Sequence, residues 1–160
     1  MIVALGLLPT VGSCEWPPNF TEYREHFEGN TNTLELLSRK LASSRFSSVT
    51  VFGDDRAEGW FEGADGIRQE FLESNNEWRR LLDEAKLHSI GTCGLGICAS
   101  FGNDPFSGSK QGYFFYVRLL SSTPELAVCE KDDEDRQTGQ CAIQLNDVWW
   151  ATYGWRGYNR

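Results

Sequence analysis

The sequence predicts an α+β domain in which two helices pack on one antiparallel sheet of about five or six strands. Three observations predict it. Leucines at helical spacing come early, while alternating aromatic and aliphatic residues come late, in segments lying close together. Closely spaced strands pair antiparallel, because a parallel pair needs a long crossover. The chain has 160 residues and is 40% hydrophobic and 13% aromatic, with six Trp and ten Phe, which suits one domain with a substantial core rather than disorder.

Residues 1–13 carry no charged side chain. The run is too short to cross a bilayer, which takes about 20 apolar residues, and it reads as the remnant of a secretory signal peptide. Residues 14–29 read as a tether or lead-in, since Pro17-Pro18 disfavours a helix there. Residues 30–160 read as a single α+β domain. Its first helix is expected over Asn30 to Ser44, capped by Asn30 or Thr31, with Leu34, Leu37 and Leu41 on one face. Phe46 to Phe52 reads as a strand and Gly53-Asp54-Asp55 as a turn.

The second helix is expected from Asp65 or Gly66 to Lys86, with Ile67, Phe71, Trp78, Leu81, Leu82 and Ala85 as its apolar stripe and a weak spot at Ser74-Asn75-Asn76. Leu87 to Thr92 and Ile97 to Phe101 read as a hairpin. Gly112 to Leu120 is the strongest strand signal, apolar on both faces and therefore expected in the sheet interior. Leu126 to Cys129 reads as a short strand, and Glu130 to Gln140 as an acidic loop. Ala142 to Trp155 supplies the last strand, with a turn at Asn146-Asp147.

Val11-Gly12-Ser13-Cys14 resembles the lipobox of bacterial lipoproteins: an aliphatic residue, two small residues, then the cysteine that receives lipid. The run departs from such signals in lacking an opening Lys or Arg. The resemblance implies cleavage before Cys14 and lipid on its sulfur. Gly112-Tyr113-Phe114-Phe115-Tyr116, followed by Val148-Trp149-Trp150-Ala151-Thr152-Tyr153, is similar to the ending of small bacterial lipoproteins, in which an aromatic strand and a closing Trp-Tyr-rich strand pair at the sheet centre. Together these imply a protein on the periplasmic side of a bacterial membrane. The absence of Asp after Cys14, where Glu15 stands, implies the outer membrane rather than the inner. The resemblance carries over no catalytic residue.

Five cysteines is an odd number for an exported chain. Assigning Cys14 to lipid leaves four, which can pair in three ways. Cys93–Cys98 and Cys129–Cys141 are favoured, because each pair flanks a turn where Cα atoms come close. Reduced thiols are less expected beside an export signal, and neither spacing matches a zinc knuckle.

No constellation for catalysis stands out. His26 and His88 have no metal-ligand spacing to one another, and no nucleophile elbow, P-loop or zinc-protease motif occurs. Asp132, Asp133, Glu134 and Asp135 gather carboxylates, but Gly139 falls one place late for a calcium loop and no Glu closes it, so a solvated hairpin tip is expected. No metal and no cofactor are expected, and no enzymatic activity. A formal charge of −8 argues against nucleic acid and fits a basic protein partner in the cell envelope. The leading expectation is therefore a lipoprotein that acts by binding, of the immunity or inhibitor type. The alternative is a small-ligand or glycan-binding module that uses Trp149, Trp150, Tyr153 and Trp155, since exposed aromatics stack on sugars and anchor interfaces.

Overall fold

Tyr23, Phe27, Leu34, Leu37 and Leu41 recur at the spacings that place them on one side of a helix. They are buried together along α1 (Phe20–Ser43). A computed structural model describes residues 20–53, 56–73, 76–101, 111–119, 128–129 and 138–156. Among them are two helices and eight strands: α1, β1 (Ser48–Val51), β2 (Ala57–Gly63), β3 (Gly66–Leu72), α2 (Glu77–Glu84), β4 (Ser89–Cys93), β5 (Gly96–Ser100), β6 (Gln111–Leu119), β7 (Thr138–Gln144) and β8 (Trp149–Arg156). The strands form one sheet in the order β3-β2-β1-β4-β5-β6-β8-β7, with every neighbouring pair antiparallel. The α+β class with two helices holds. The sheet has eight strands rather than five or six.

Register explains which face is core. Ile143, Ala151, Tyr116, Ala99, Ile90, Val49 and Gly59 lie opposite one another in succession across β7, β8, β6, β5, β4, β1 and β2. This row faces the helices, and Phe27 of α1 meets the rings of Tyr116 and Trp149. At Gly59 the row has no side chain, and Phe46 fills the space. A Cβ there would lie 2.4 Å from Phe46 Cε1. The Phe46 ring cannot retreat easily, because Phe61 and Trp78 meet it edge-on.

Three differences from the sequence-based expectation have physical causes. The helix expected from Asn30 starts at Phe20, so residues 20–29 of the supposed lead-in are helical. Gly29 within it costs about 1 kcal/mol relative to Ala, but burial of Tyr23 and Phe27 stabilises by about 1.5–3 kcal/mol for each ring. Asn30 and Thr31, expected as caps, instead donate to the carbonyls of His26 and Phe27 one turn back.

The second helix is the larger correction. Gly66–Leu72 is a strand, and α2 covers only Glu77–Glu84. Ile67 and Phe71 are four apart, a spacing that shares one face of a helix and also one face of a strand. Asn76 caps α2 by accepting from the Trp78 N–H at 2.9 Å. At its other end Lys86 takes the left-handed conformation at φ 52°. There Lys86 N–H donates to Asp83 and Leu87 N–H to Leu82, closing the helix in a Schellman arrangement. Finally, the turn expected at Asn146-Asp147 is present, with Asn146 Oδ1 accepting from Val148 and Trp149 N–H, but the strand before it, β7, begins at Thr138, inside the stretch expected as an acidic loop.

Gly59→Ala is expected to lower stability by about 1–3 kcal/mol, because an added methyl meets a ring with nowhere to move. Urea unfolding checks this, and an unchanged midpoint would show that Phe46 yields.

Candidate binding site

The face of the sheet turned away from the helices divides in two. Over β6, β8 and the middle of β7 it is buried, at Val117, Thr152 and Ala142. Over β3 it is open, while Glu58 of β2 on the same face is buried. Ile67 is 78% exposed and Phe71 70% exposed, both on β3. Trp60 of β2 lies half-buried opposite Gln69, which stands between them. The register that places Gly59 under Phe46 turns Glu58, Trp60 and Glu62 to this outer side. A loop of Ala64-Asp65, followed by Gly66 at φ 115°, closes the hairpin. Between Ala57 and Glu73 stand five acidic residues (Glu58, Glu62, Asp65, Glu70, Glu73) and one arginine, Arg68. That is a net charge of −4, half of the chain's −8. The hairpin thus combines exposed apolar side chains with a concentrated negative charge.

A second polar grouping lies under α1. Trp149 is fully buried, and its indole N–H donates to Glu35 Oε1 at 2.7 Å, where Arg118 Nε also reaches at 3.4 Å. Nearby, Tyr116 donates its hydroxyl proton to the Tyr23 carbonyl at 2.8 Å. The Tyr116 hydroxyl also hydrogen-bonds with His26 Nδ1 at 3.0 Å. His26 Nε2 is buried without a well-aligned hydrogen-bond partner. Burial, with help from the Lys86 charge, holds the His26 pKa below its ordinary value; the Ala85 carbonyl opposes the shift. Burial likewise pushes Tyr116 well above the ordinary tyrosine range. These groups fasten the helix to the sheet.

A shallow depression of about 290 Å³ lies between α2 and the β1–β2 turn, lined in part by Arg79, Asp83, Lys86, His88 and Phe101. Arg79 spans it, donating to the Phe52 and Arg56 carbonyls and pairing with Asp83 at 3.2 Å. It straps the helix to the turn.

The residues singled out from sequence fall as follows. Cys93–Cys98 and Cys129–Cys141 are disulfide-bonded, with Cα atoms 5.9 and 4.7 Å apart. Cys14 and the acidic run Asp132–Asp135 lie outside the described residues. Trp149 and Tyr153 are core residues, so neither presents its ring to a surface ligand. Trp150 is half-buried on the outer face, opposite Val117 and Gln144. Trp155 lies on β8, and its side chain is outside the described set. No group of three metal-ligating side chains occurs among the described residues. Sequence reasoning missed Trp60, Ile67 and Phe71 as neighbours. The turn at Ala64-Asp65-Gly66, flanked by alternating residues, was the signal for a hairpin.

Comparison with protein-family models, with curated protein sequences and with solved structures returns no significant match.

The depressed His26 pKa gives a pH dependence. The unfolded chain takes the proton first, so this group's contribution is full above the ordinary value of 6.5 and is lost as pH falls below it. Stability is therefore expected to decline as pH drops through the histidine range, and His26→Gln is expected to flatten that decline. Thermal unfolding across the range checks it, and identical slopes in both proteins would contradict it.

Proposed function

We propose that the chain is an extracytoplasmic lipoprotein, held to a bacterial membrane by lipid on Cys14, that acts by binding a basic protein partner in the manner of an immunity or inhibitor protein. The observation that carries the binding role is the β2–β3 hairpin. Its outer face exposes Ile67 and Phe71 on a segment with half of the chain's net negative charge. Exposed apolar side chains supply anchoring area. Carboxylates along the hairpin steer a positively charged partner. Two disulfides support an oxidising compartment, and the lipobox-like Val11-Gly12-Ser13-Cys14 supports the anchor.

Affinity capture from an envelope extract tests the binding role, with wild type beside Phe71→Ser. Phe71 is exposed, so the substitution is expected to change stability by no more than about 0.5 kcal/mol. Wild type is expected to retain one basic protein in equal proportion, to release it as salt rises, and to lose it in the variant. Retention that is indifferent to both salt and Phe71→Ser would contradict the reading.

The anchor is tested by intact mass of the full-length product made in a bacterium. A diacyl or triacyl adduct on Cys14 is expected, with four further cysteines reacting with alkylating agent only after reduction. A retained Met1 and five free thiols would contradict it.

A further inference from the structure

We propose that the free edge of β3 pairs with β3 of a second copy of this chain, joining two sheets into one across a twofold axis. Among the described residues strand β3 ends the sheet, and five of its seven residues are exposed. It carries no proline and no lysine, and its register with β2 runs without a bulge, so several devices that blunt a sheet edge are missing, and its two charges, Arg68 and Glu70, are of opposite sign.

The direction of its backbone groups follows from the ladder. The Trp60 carbonyl accepts from Ser47 N–H on the β1 side. Hydrogen bonding alternates along an antiparallel strand, so Gly59 and Phe61 bond toward β3, where they face Glu70 and Arg68. The N–H and C=O groups of Ile67, Gln69 and Phe71 therefore point to the open edge. These are the same residues whose side chains lie on the outer face.

The side chains select one register. Pairing Gln69 with Gln69 of the second copy sets Ile67 against Phe71 twice and Arg68 against Glu70 twice, and forms about six backbone hydrogen bonds. Shifting the twofold by one residue either way sets Arg68 against Arg68 or Glu70 against Glu70, which like-charge repulsion disfavours. The surface is thus self-complementary, as a twofold interface requires. Within one subunit Arg68 pairs with Asp65 and Glu70 with Arg45, yet the Arg68 side chain stays 53% exposed and able to reach across. The twofold stands perpendicular to the sheet, so both outer faces lie on the same side and their apolar residues merge into one patch.

Sedimentation equilibrium of the disulfide-bonded protein at 0.15 M salt, where surface charges are screened beyond about 8 Å, tests the proposal. Wild type is expected to dimerise reversibly. Gln69→Pro removes an N–H that the single subunit does not use, so the variant is expected to fold with an unchanged circular dichroism spectrum and to remain monomeric. Arg68→Glu is expected to weaken dimerisation about tenfold, and adding Glu70→Arg to restore it. A wild type that stays monomeric at about 100 μM overturns the proposal, since a contact weaker than that falls below ordinary specific interfaces. So does a dimer that Gln69→Pro leaves intact, which would place the contact elsewhere.

Discussion

Trp149 is wholly buried, and an indole N–H inside a protein must find an acceptor or cost about 1–3 kcal/mol. Glu35, one turn beyond the middle of α1, supplies it at 2.7 Å. That bond requires a particular rotation and position of α1 over β8. Once Glu35 is placed, Phe27 falls between Tyr116 and Trp149, and Tyr23 brings its carbonyl to the Tyr116 hydroxyl. Arg118 closes the same grouping from β6 by reaching the Glu35 carboxylate. The helix is thus fixed by directional bonds as well as by its apolar stripe, and the sheet is built outward from that seat.

The consequence is a graded structure. Around β6 and β8 both faces of the sheet are buried: Tyr116 on one side and Val117, its neighbour in sequence, on the other. Toward β3 burial falls away on the outer face until Ile67 and Phe71 stand exposed. The helices cover the inner face as far as Phe46, which stacks over Gly59 and ends the core. The acidic hairpin is therefore a projection from a rigid centre, free to meet another protein without disturbing the packing beneath α1. Disulfide Cys93–Cys98 closes the β4–β5 hairpin on this outer side, and Cys129–Cys141 fastens the chain preceding β7 to that edge strand.

Much of the fold could be read from residue spacing. The leucines of α1, the β4–β5 hairpin, the aromatic strand β6 and both disulfides follow from local patterns that tertiary packing did not override. The hairpin β2–β3 did not, because Ile67 and Phe71 lie four apart and that spacing serves a helix stripe and a strand face equally. Only the turn before them, and the exposure they have in the folded protein, decides between the two. The aromatic cluster at the C-terminus shows the converse limit. Trp149 and Tyr153 alternate with Trp150 as a binding platform would, but alternation states only that two faces exist. Which face is core depends on α1, whose contact with Trp149 spans more than a hundred residues of sequence. The candidate site lay where pattern was ambiguous, and the conspicuous aromatics lay in the core.

Hydrogen exchange measured residue by residue tests this account most directly, with the Trp149 indole N–H followed alongside the backbone amides. If α1 is seated by Glu35, the indole and the amides of β6 and β8 exchange only through global unfolding, while the β2–β3 hairpin opens at lower free energy. An indole that exchanges as fast as a surface tryptophan, or a β6 that opens together with the hairpin, would contradict it.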